Sequence, residues 1–154
     1  MDLGWQHGFT ASSVLAIPTP HSLVVQEQRM KIMIVDDHRE IRRLLMSTLG
    51  NLASEFVECS DGAEAVAAWS QHHPDWTVMD VAMKPMDGLE ATRQIKARFA
   101  DARILILTQH DSPPIRQAAL DAGACAFVAK DHLEQIIAML AVRPQDRPNP
   151  GESA

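Results

Sequence analysis

The sequence predicts an α/β fold: a doubly wound, five-stranded parallel sheet with helices on both faces. Two observations carry that expectation. Short apolar runs begin near positions 31, 55, 76, 103 and 125. Helix-period patterns lie between them, clearest in Ile41, Leu44, Leu45, Thr48 and Leu49 and again in Leu133, Ile136, Ile137 and Leu140. Strand followed by helix, repeated along a chain, buries both faces of a parallel sheet.

The strands expected are Lys31–Val35, Glu55–Cys59, Trp76–Met79, Arg103–Leu107 and Cys125–Val128. The first and fourth are apolar at nearly every position, as central strands covered on both sides are. Helix starts are marked by D-x-x-E at Asp37/Glu40, Asp61/Glu64, Asp87/Glu90 and Asp131/Glu134, where the Asp can accept from a free helix N–H and the Glu can reach back. Ser112 followed by Pro113 marks another. His72-His73-Pro74 reads as a helix ending before proline.

Residues 1–29 carry no sustained periodicity and read as a flexible extension, with Met30 standing directly before the first strand. Residues 142–154 hold Pro144, Pro148, Pro150 and Gly151 and read as a disordered tail. The folded unit is expected at 30–141, with no output domain after it. A net charge of −6, from 20 acidic and 14 basic residues, argues against a protein whose main business is direct nucleic-acid binding. No apolar run approaches the roughly 20 residues of a membrane span, and the N-terminus lacks the positive region of an export signal. Two cysteines make neither a disulfide framework nor a cysteine zinc site, and free thiols fit a cytoplasmic location.

Asp36 and Asp37 follow the first strand and Asp80 the third, so a doubly wound sheet gathers three carboxylates at one strand-end crevice. Unless a cation sits among charges so close, at least one carboxyl should have a raised pKa or turn outward, and hard oxygen donors favour Mg2+ as that cation. Thr108 and Lys130 end the fourth and fifth strands on the same edge. A carboxylate nucleophile, a cation, a hydroxyl and an ammonium suit phosphoryl transfer to an aspartate.

With Val35-Asp36-Asp37, Met79-Asp80-Val-Ala-Met83, Met86-Asp87-Gly88, Thr108, Gly123-Ala124 and Phe127-Val-Ala-Lys130 in order, the sequence resembles the receiver domain of two-component response regulators. The resemblance implies strand order 2-1-3-4-5, an order for which a chemotaxis regulator is a standard illustration. It implies that Asp80 takes a phosphoryl group from a sensor histidine kinase or phosphotransfer protein. Asp37 and Asp80 would contact Mg2+ directly, Asp36 through water, and the main-chain carbonyl of Ala82 would complete the protein ligands. Lys130 would pair with phosphoryl oxygens, Thr108 would move to the new phosphate, and Phe127 would swing with it. The altered face, helix 4, strand 5 and helix 5, would meet a downstream protein or a second copy of the chain. Such a protein catalyses only its own phosphorylation and dephosphorylation.

Three positions depart from the family pattern: Lys84 intervenes before Pro85, Phe127 stands for the commoner tyrosine, and Asp131 follows Lys130. A nucleotide or flavin module would need a phosphate-cradling loop, and Asp36-Asp37-His38-Arg39-Glu40 would repel phosphate. An aspartyl-phosphate hydrolase would need a second acid where Ala82 stands. The remaining alternative is a receiver-like scaffold that binds partners without phosphorylation. His38 and His110 fall near the site edge and read as surface histidines.

Overall fold

A computed structural model describes residues 29–141; the expected extension at 1–29, Arg29 apart, and the expected tail at 142–154 lie outside the described residues. The elements run β1 (Met30–Val35), α1 (Arg39–Leu49), β2 (Ala53–Cys59), α2 (Gly62–His72), β3 (Trp76–Asp80) and α3 (Gly88–Arg98). They continue with β4 (Ile104–Thr108), α4 (Pro113–Ala122), β5 (Ala126–Ala129), a 3-10 turn (Lys130–His132) and α5 (Glu134–Ala141). The five strands form one sheet in the order β2-β1-β3-β4-β5, every pairing parallel. Fold class and strand order are those expected.

Side chains alternate along a strand, and the two cores follow that alternation. Met33, Val35, Met79, Ile104 and Ile106 pack with Ala65, Val66 and Trp69 of α2, Ala91 and Ile95 of α3 and Ala119 of α4. Ile32, Ile34, Val78, Leu105 and Leu107 pack on the other face with Leu45 and Leu49 of α1 and Ile136 and Leu140 of α5. Leu44 and Ile137, read as parts of apolar stripes, are exposed. The stripes are narrower than the sequence suggests because α1 and α5 each present one seam to the sheet.

Two of the four expected Asp caps form. Asp61 and Asp87 accept from the N–H groups of Glu64 and Glu90, at 2.9 and 2.8 Å. Neither Glu closes the box: Glu64 accepts from the backbone and hydroxyl of Ser60, and Glu90 turns to Arg93 and Gln94. Asp37 and Asp131 are not caps. His38 is the N-cap of α1, and Asp131 sits inside the 3-10 turn, so α5 begins later than the pattern suggested. Ser112 caps α4 with Pro113 at its first position, without a side-chain bond. Helix α2 stops at His73, whose left-handed backbone (φ 44°) ends the helix directly before Pro74.

Candidate functional site

The C-terminal ends of β1, β3, β4 and β5 bring five polar side chains to one edge of the sheet. Asp36 follows β1 and is fully buried; Asp80 ends β3 and is 2% exposed. The register pairs Asp80 with Leu107, so Thr108 stands one residue beyond it on the neighbouring strand, itself paired with Ala129. Lys130 follows at once. Its Nζ donates to Asp36 Oδ2 at 2.7 Å and lies 3.2 Å from Asp80 Oδ1.

Electrostatics fit this placement. Burial, then the charge of Asp36 and to a smaller degree Asp37, raises the pKa of Asp80 above the usual aspartate range, against the opposing pull of Lys130. For Lys130, burial alone would favour the neutral amine. The hydrogen bond to Asp36 and the charges of Asp80 and Asp36 outweigh it and raise its pKa above the ordinary lysine value.

Asp37 points to the exposed side of the crevice, where His38 Nδ1 lies 2.8 Å from its Oδ1 and 3.2 Å from Asp36 Oδ1. The backbone N–H of His38 donates to the same Asp36 oxygen at 2.8 Å. His38 thus belongs to the site rather than to the surface at large, although its side chain is 63% exposed. Arg42, one turn into α1, donates to the carbonyl of Asp36 at 2.8 Å and pairs with Glu58 of β2. Sequence reasoning missed it, since one arginine on a mixed helix face carries no signal of what lies across the turn.

The loop after β3 holds Ala82 exposed and Met83 buried. The Val81 carbonyl accepts from Met83 and Gly88 at 3.1 and 3.0 Å, and the Lys84–Pro85 peptide bond is cis. A Cβ on Gly88 would stand 1.8 Å from the Asp80 carbonyl oxygen, so the Asp87-Gly88 pair caps α3 and also lets that helix start press on the backbone of Asp80. Thr108 Oγ1 exchanges bonds with His110, accepting from its N–H at 3.2 Å and donating to its carbonyl at 3.3 Å. Phe127 is half-buried, with the guanidinium of Arg116 4.9 Å from its ring centroid and Asp111 holding that guanidinium through both oxygens.

The donor set fits a divalent cation. Asp36 and Asp80, both buried, share the one ammonium of Lys130, and Asp37 adds a third carboxylate on the exposed side, so negative charge is in excess there. Asp36, Asp37 and His38 place their ligand atoms within 4.8 Å of one another.

Residues 32–141 match the family model for the response regulator receiver domain. The chain belongs to that family. Among curated relatives, the response regulator MprA of Mycobacterium sp. (strain KMS) is 37% identical over 124 residues, covering 79% of this chain and 54% of the relative. MprA of Mycobacterium avium (strain 104) is 38% identical over 112 residues, 72% of this chain and 49% of the relative. The receiver thus spans about half the length of the curated relatives it matches. A LuxR-family two-component response regulator from Aurantimonas sp. SI85-9A1 superposes with TM-score 0.66 at 35% identity, over 73% of this chain and 86% of that one. The Vibrio cholerae chemotaxis protein CheY4 superposes with TM-score 0.68 at 29% identity, over 73% and 96%. This receiver is a two-component signalling domain. Among its described residues no helix is long and apolar enough to cross a membrane.

Proposed function

We propose that this receiver is a phosphoryl-accepting switch in which Asp80 takes the phosphoryl group from a phosphohistidine of a sensor kinase or phosphotransfer protein. The observation that carries the reading is the meeting of Asp36, Asp80 and Lys130 within 3.2 Å at the strand ends, beside Thr108. An Asp80 carboxylate oxygen attacks phosphorus, the phosphorus–nitrogen bond to the donor breaks, and its electron pair stays with the imidazole. Lys130, already at Asp80, follows the charge onto the phosphoryl oxygens. Asp37, Asp80 and the carbonyl of Ala82 would hold Mg2+, with Asp36 acting through water, and the ion would supply charge neutralisation for the incoming phosphoryl group.

The output is a change of shape. Thr108 gives up its two bonds to His110 to reach the phosphate, and Phe127 follows, which re-forms the surface of α4, β5 and α5 for a downstream protein or a second copy. Two conformations separated by a few kcal/mol suffice, provided the phosphate makes contacts in only one of them. The protein is then a substrate of its own chemistry and no enzyme beyond that, and it works in the cytoplasm beside the kinase. A scaffold that ignores phosphate is less well supported, because a buried carboxylate pair with one ammonium is costly to keep without a use. The expectation of no direct nucleic-acid contact concerns the receiver unit alone.

Acetyl phosphate with Mg2+ should retard the protein on a phosphate-affinity gel, and Asp80→Asn should remove the retardation while the fold persists. A shift that survives the substitution would place the acceptor elsewhere.

A further inference from the structure

We infer that Arg42 is a positioning residue for the site: it pins the Asp36–Asp37 peptide and so sets where the Asp37 carboxylate stands, without touching the ion itself. This deepens the Mg2+ reading above and rests on it. The pairing of β1 with β2 and β3 ends at Val35. Beyond it the main chain of Asp36 is held by two bonds instead. Its N–H donates to the carbonyl of Cys59 at 3.2 Å, and its carbonyl accepts from Arg42 Nη1 at 2.8 Å. The second bond orients the peptide that leads into Asp37, and the first keeps its origin in place.

Asp37 has little else to hold it. Its side chain is 42% exposed, and its partner among the described contacts is the exposed ring of His38. Such a carboxylate stands where its backbone puts it. Arg42, by contrast, is anchored: its side chain is 15% exposed, and its Nε donates to Glu58 Oε2 of β2 at 3.0 Å. Its own N–H donates to the carbonyl of His38 at 3.2 Å as α1 opens. The rigid fork of a guanidinium lets one side chain join α1, β2 and the end of β1, which a single ammonium does not offer.

Charge and position act here with opposite signs. A cation beside the carboxylates repels a second cation, so if Arg42 acted by charge alone its removal would tighten Mg2+ binding. If it acts by holding the peptide, its removal loosens Mg2+ binding although the site becomes more negative. The direction of the change separates the two.

The test is Mg2+ titration of the full chain, followed by backbone amide resonances, for wild type, Arg42→Met, Arg42→Ala and Asp37→Ala. Arg42→Met keeps much of the apolar stem and removes the donors, so its folding loss should be the smaller. Both Arg42 variants should bind Mg2+ roughly tenfold more weakly than wild type. The loss should persist at high salt, where charge effects are screened. Should Arg42→Ala fail to fold, Arg42→Met carries the same comparison. Mg2+ affinity equal to or tighter than wild type in Arg42→Met, with Mg2+ binding lost in Asp37→Ala, would overturn the inference and spare the metal site. A lowered urea midpoint with unchanged affinity would make Arg42 a brace of the fold alone and overturn it as well. Affinity unchanged in Asp37→Ala would overturn the metal reading and the inference together.

Discussion

Lys130 Nζ donates to Asp36 Oδ2 at 2.7 Å, across 94 positions of sequence. The bond joins the end of β5, an edge strand, to the end of β1, and the ammonium reaches Asp80 on the way. It is the one ammonium facing the carboxylates of Asp36 and Asp80 among the described contacts.

Replacing Lys130 by Ala leaves two buried carboxylates facing each other. Breaking a buried pair costs about 3 to 5 kcal/mol, and the partly solvated ammonium here reduces that to about 2 kcal/mol. Urea unfolding without metal should show the loss, and saturating divalent ion should recover part of it through linkage. The raised pKa of Lys130 has its own sign: the stability it adds is fully present below the unfolded-state lysine value and fades as pH rises through the folded-state value.

Asp80→Asn should act in the opposite direction. A carboxylate whose pKa is raised by folding costs stability once pH exceeds the folded-state value, because the charged form is held out of water. The amide removes that cost, so the metal-free variant should melt above wild type at neutral pH. The gain should shrink as pH falls through the folded-state value, where Asp80 itself becomes neutral. Thermal melts at a series of pH values check this.

Gly88→Ala should harm both fold and site. The added Cβ would lie 1.8 Å from the Asp80 carbonyl, so backbone must shift. Forced overpacking of this kind costs about 3 kcal/mol. Denaturant midpoints should fall, and phosphorylation should slow even where the variant is folded.

Arg116→Ala should free the ring of Phe127. An exposed cation–π contact is worth about 0.5 to 1 kcal/mol, enough to shift the rotamer of a half-buried ring. Carbon-13 relaxation on labelled Phe127 should show a more mobile ring in the variant before phosphorylation, with phosphoryl uptake unchanged.

The two thiols should differ sharply. Burial, followed by the charges of Glu64 and Asp61, pushes the Cys59 thiol up to about 12. Cys125 is partly exposed. Iodoacetamide on the native protein should give one adduct, at Cys125, since the thiolate is the nucleophile.

The fold was legible because its signals are local: each strand is a short apolar run, and Asp61, Asp87 and Ser112 stand where helices start. The gathering of Asp36, Asp80, Thr108 and Lys130 was legible too, because strand ends in a parallel sheet share one edge. What stayed hidden depends on approach across space. Asp37 shares the D-x-x-E spacing of Asp61, yet His38 takes the cap, and Asp37 turns to the crevice. Arg42 reaches the carbonyl of Asp36 over a helix turn and Arg116 lies over the ring of Phe127, approaches that no spacing in the chain announces.

Intact mass spectrometry after incubation with acetyl phosphate and Mg2+ tests the central claim most directly. Wild type should gain the mass of one phosphoryl group and Asp80→Asn should gain none. A wild-type chain that stays unmodified under saturating donor and ion, or an Asp80→Asn chain that still carries the adduct, would contradict it.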